Sequence, residues 1–72
     1  MFLQGEIYKI NTRTKDYPLF VMVLFDPEPD REMFNAVVIR DVADSHEAGN
    51  MANNWFKKDF TLTDWQEVKR WI

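Results

Sequence analysis

A single serine, a single histidine and no cysteine leave this chain of 72 residues few ways to break a bond. Ser45 and His46 are neighbours in sequence. Adjacent side chains point in different directions on a strand or a helix, so the pair is a poor start for a serine–histidine relay. The lack of cysteine removes a thiolate nucleophile, a disulfide frame and a thiolate zinc site together. Asp41, Asp44, His46 and Glu47 gather oxygen ligands around one imidazole, as a hard cation requires when a loop folds such groups inward. Their spacing matches neither a calcium loop nor His-Glu-x-x-His. Asp26, Glu28 and Asp30 are close carboxylates, but acid–base catalysis needs a desolvated hollow that separates their proton affinities. Here they alternate with prolines in a turn. Gly5 and Gly49 are the only glycines and lie far apart, so no phosphate cradle exists. The expectation is a chain that is not an enzyme, uses no cofactor and holds no metal.

Binding chemistry is better supplied. Net charge is −3, spread unevenly. Residues 1–25 and 51–72 each carry +1, whereas residues 26–50 carry −5, with seven acids against Arg31 and Arg40. Those acids, Asp26, Glu28, Asp30, Glu32, Asp41, Asp44 and Glu47, form the first candidate surface, complementary to a basic protein partner or simply a solvated face. The second candidate is an aromatic and basic set, Tyr8, Trp55, Phe56, Lys57, Lys58 and Trp71, suited to stacking on a nucleic acid or a small ligand. An acidic chain is a poor phosphate-backbone binder, which places nucleic acid behind protein as the partner. A second copy of the chain is a further alternative.

The elements that must position these residues read mainly as strands. Glu6–Ile10 is short and β-prone, with Gly5 before it marking a bulge or turn. Asn11–Asp16 is turn-like. Leu19–Phe25 is apolar on both faces, as in a strand covered on both sides, and Pro18 opens it where a missing N–H is tolerated. Asp26-Pro27-Glu28-Pro29-Asp30 stops that strand, and Met33–Ile39 returns antiparallel. Asp44 and Glu47 have capping-box spacing, but Gly49 and three asparagines favour a loop leading to a fourth strand near Ala52–Lys57. Residues 60–72 have two readings. Thr63 with Gln66 and the recurrence of Leu62, Trp65, Val68 and Ile72 suggest a helix; a closing strand through Trp65–Val68 is the rival. The longest apolar run, Tyr17–Phe25, has nine residues and a proline, too short for the about 20 of a membrane helix. With no basic start leading into an apolar stretch, the chain is expected in the cytoplasm and off the membrane.

Gly5-Glu6-Ile7-Tyr8, the apolar hairpin, and then Gly49 followed by Trp55 and Phe60 resemble a pattern in small uncharacterised phage and mobile-element proteins. The length makes one domain over residues 1–72. The resemblance implies a small Src-homology-3-like barrel of five strands with no known catalytic residues, so the expected fold is such a barrel of four to five antiparallel strands. The resemblance carries no known activity. Together with the short chain, the missing chemistry and the acidic middle, it leads to the expectation of an accessory or inhibitory protein that docks on a larger one, for example a nucleic-acid-targeting defence complex. An apolar fraction of 46% is more than one miniature interior needs. The second face of the sheet must therefore be covered by the C-terminal segment, another subunit or a partner.

Overall fold

Residues 2–72 are described in the computed structural model, and they form a mainly β domain. Five strands, β1 (Ile7–Ile10), β2 (Leu19–Val23), β3 (Met33–Asp41), β4 (Met51–Phe56) and β5 (Phe60–Thr63), are followed by one short helix, α1 (Trp65–Lys69). A single 3-10 turn, Lys57–Asp59, joins β4 to β5. All pairings are antiparallel, in the order β4-β3-β2-β1-β5. The order is compatible with a small barrel; as described, the sheet is open, with β4 and β5 at its edges.

Alternation along the strands separates two apolar layers. Tyr8, Leu19, Val21, Val23, Phe34, Ala36, Val38 and Phe60 form the main core, closed by the half-buried Phe2, Ile10 and Trp55. On the other face Ile7, Phe20 and Val68 form a second, smaller core, with Met22, Ile39 and Trp71 against it. The double-sided apolarity of the second strand thus has a structural answer: α1 covers part of the outer face. Both readings of residues 60–72 hold in part. A closing strand exists, but at 60–63, and residues 65–68 are helical instead of extended. The helix cap is Asp64, whose carboxylate accepts the Glu67 N–H at 3.2 Å, and not Thr63. The Thr63 hydroxyl donates to the Glu67 carboxylate instead. Asp44 and Glu47 cap no helix; residues 42–50 form a loop in which Asp44 has φ 57° and Gly49 φ 95°.

Two bulges reset the alternation. Phe20 pairs with Arg40 while Val21 pairs with Val38, so Ile39 is an extra residue in β3. Phe34 pairs with Trp55 and Ala36 with Ala52, so Asn53 and Asn54 together face Asn35. Each extra residue turns the remainder of its strand to the opposite face. Strict alternation after Phe34, Ala36 and Val38 would send Arg40 inward and Asp41 outward. The bulge does the reverse. Arg40 lies outside, its Nε donating to the Trp71 carbonyl at 3.1 Å, and Asp41 is buried opposite Leu19. No helix is long and apolar enough to cross a membrane among the described residues.

Candidate functional site

Burial of Asp41 draws the densest polar cluster of the chain around it. One guanidinium and one loop supply its donors. The Arg13 guanidinium binds both of its oxygens, the second at 3.2 Å. The Ala43 N–H reaches Oδ1 at 3.0 Å; the His46 N–H and ring Nδ1 reach Oδ2 at 3.0 and 2.8 Å. Burial opposes the charge, but the bonds from Arg13, His46 and Ala43 outweigh it and hold the Asp41 carboxyl far below the usual carboxylate range. The Nδ1 contact suits the tautomer with its proton on Nδ1, directed at Asp41. The ring leans on Trp55, 5.5 Å between centroids. Asp41 is thereby removed from the expected acidic surface, because a carboxylate with five donors and no solvent contact offers nothing to a partner. Among the described residues no three His, Asp or Glu side chains come together as a metal-ligand group. Sequence reasoning missed Arg13 altogether; its signal, one of two cations in a polar turn, does not reveal a partner 28 positions away.

The aromatic and basic set is divided by the fold. Tyr8 is 2% exposed, stacked on Phe2 at 4.1 Å, so it belongs to the core and not to a binding surface. Its hydroxyl donates to Glu6 at 3.0 Å and accepts the Phe2 N–H at 2.8 Å. Burial raises its proton affinity, with Glu6 adding to the effect against the Phe2 bond. Trp55 and Phe56 face opposite sides, as expected of extended chain. Trp55 is half-buried, edge-on to Phe60 at 5.7 Å, and its indole N–H is buried without a partner among the described residues. Phe56 is exposed and lines a hollow of about 260 Å³ with Glu32, Lys57 and Lys58. There the Lys58 ammonium lies 5.8 Å from the Phe56 ring centre, while Lys57 bonds the Glu28 carbonyl at 3.1 Å. Trp71 lies elsewhere, beside α1, in a cleft with Lys9, Arg13 and Lys15.

The remaining acids do gather, in two groups. Asp44 and Glu47 are exposed in the loop after β3. Asp26, Glu28, Asp30 and Glu32 are exposed in the β2–β3 connection, and none of these four forms an ion pair among the described residues. The connection is pinned at its start, where Asp26 accepts the Gln4 N–H at 2.5 Å, and turned by the bond from Arg31 N–H to the Glu28 carbonyl at 3.0 Å. Beside it the outer face is bare. Leu24, Phe25, Asn35, Met51 and Asn53 line one shallow hollow; Asp26, Glu28, Arg31, Asn35 and Asn53 line the next. Asn35 and Asn53 border both, so the two form one trough, apolar at one end and carrying Asp26 and Glu28 beside Arg31 at the other. Phe25 is 63% and Met51 73% exposed. Sequence reasoning found the acids but missed Phe25, read as the end of a strand covered on both sides, and Met51, read in the loop before the fourth strand. Comparison with protein-family models, with curated proteins and with solved structures found no match to this chain.

Proposed function

We propose that this chain is a non-enzymatic interaction module that docks a basic, amphipathic segment of a larger protein, in the cytoplasm, through the trough beside the β2–β3 connection. The observation that carries this reading is the juxtaposition of bare Phe25 and Met51 with Asp26 and Glu28, two exposed carboxylates that outnumber Arg31 in the adjoining hollow and form no ion pair among the described residues. Aromatic and methionine side chains are enriched at the centres of protein interfaces, and a charged rim selects the partner and speeds encounter. An apolar anchor flanked by lysines or arginines matches both ends of the trough at once. An accessory or inhibitory role, toward which the short chain, the acidic middle and the resemblance to small phage proteins lean together, fits a module that contributes binding alone.

The test uses two synthetic amphipathic peptides with the same apolar residues, one lysine-rich and one glutamate-rich. Titration calorimetry against the intact chain should give binding of the basic peptide only, weakened about tenfold or more by Met51→Glu and by Asp26→Lys with Glu28→Lys. Equal binding of both peptides, or basic-peptide binding untouched by either variant, would sink the reading.

A further inference from the structure

The cleft between the turn 11–16 and the C-terminal segment stands apart from the docking trough and has different chemistry. Lys9, Arg13, Thr14 and Lys15 line it on one side, with Glu67 and Trp71 on the other. Three cations face one carboxylate there, so the lining is positive in a chain of net charge −3. Buried Asp41 balances one of those charges through Arg13. Donor capacity remains after the internal bonds are made. An ammonium has three N–H groups, and Lys9 directs one at Glu67, at 2.5 Å. A guanidinium has five, and Arg13 directs two at Asp41. Lys15 is exposed and forms no ion pair among the described residues. Arg40 holds the Trp71 backbone carbonyl at 3.1 Å, and the Trp71 side chain packs half-buried against the second core, so its indole forms an apolar wall beside the cations.

We infer that this cleft binds a small organic phosphate with a planar apolar body, of which a nucleoside monophosphate is the representative. A phosphate monoester is the anion that uses several converging N–H donors at once, through charge-assisted hydrogen bonds. The indole offers a flat ring the stacking surface that aliphatic walls lack. The volume, about 220 Å³, suits a small ligand held in part. The acidic middle of the chain disfavours a polynucleotide.

The experiment is a titration of the isotopically labelled full chain followed by two-dimensional NMR, with adenosine monophosphate, adenosine and inorganic phosphate as separate probes. Adenosine monophosphate should shift the Trp71 indole N–H and the Thr14 and Lys15 amides saturably. Adenosine should bind about tenfold more weakly, as loss of a charged hydrogen-bonding group predicts. Lys15→Glu should weaken the nucleotide about tenfold, and Lys58→Glu, which alters an ammonium that lies over Phe56 and outside the cleft lining, should leave it unchanged. Three results would overturn the inference: no saturable shift at these groups, adenosine binding as well as its phosphate, or Lys58→Glu weakening binding while Lys15→Glu does not. Inorganic phosphate binding as tightly as the nucleotide would overturn the organic-ester assignment, since Trp71 would then add nothing. None of these outcomes depends on the peptide titration at the trough.

Discussion

Five donors converge on the two oxygens of Asp41, and that makes one residue answerable for the junction of turn 11–16, β3 and the loop 42–50. Asp41→Asn keeps the shape but removes the charge and presents an N–H₂ to donors already in place. Breaking a buried pair on one side costs about 3 kcal/mol, a large part of the total for a domain this small. Urea denaturation should show that loss as a lower midpoint at unchanged slope. The pH dependence has a definite sign. Asp41 and Glu67 both bind protons more weakly folded than unfolded. Asp41 is held low by the bonds that outweigh burial, and Glu67 by the Lys9 and Thr63 bonds. Their stabilisation is therefore complete above the unfolded carboxylate values near pH 4 and declines as pH falls below them. Tyr8 acts at the other end: raised by burial, it stabilises fully below about pH 10 and loses that contribution above it. Urea midpoints measured across pH should form a plateau with an acid and an alkaline shoulder, and Asp41→Asn should flatten the acid one.

At the scale of elements, α1 is held by one cap and one buried side chain. Asp64→Ala removes the bond to the Glu67 N–H and should cost about 1 kcal/mol. Val68→Ala opens a gap beside Ile7 and Phe20 in the second core and should cost about 2 kcal/mol. Thermal denaturation would check both values. An Asp64→Ala protein as stable as the parent would mean that the helix is held by packing alone. The strands were legible in the sequence because their signals are local: apolar runs bounded by prolines and polar turns gave β2, β3 and the link between them. Residues 60–72 were not, because strand and helix there are each about one turn's worth of chain, and such short segments satisfy both periodicities. The fate of Asp41 was hidden for a different reason. Its direction depends on the extra residue at Ile39, and a bulge shifts phase without leaving a compositional mark. The acidic rim of the trough was legible as composition; its apolar floor was not, since Phe25 and Met51 are neighbours only through the β2–β3–β4 ladders.

Across the whole molecule, the charges are sorted by place. Asp26 and Glu28, which form no ion pair among the described residues, border the trough, while the lysines and arginine of the first 15 residues collect at the opposite cleft. Association at the trough should therefore weaken as salt rises, through a slower on-rate with little change in off-rate. Stopped-flow binding of the lysine-rich peptide at two ionic strengths would measure this, and an unchanged on-rate would remove the electrostatic part of the docking reading. The pairing of β1 with β5 adds a consequence in time. Ile7 lies opposite Thr63 and Ile10 opposite Phe60, so the first strand keeps an unpaired edge until the last one is synthesised. Folding must wait for that distant closure, which belongs to the millisecond-to-second class of all-β chains and not to the microsecond class of helical ones. A nascent chain stalled before residue 60 would leave the ribosome with an adhesive β1 edge, at the mercy of whatever strand it meets first.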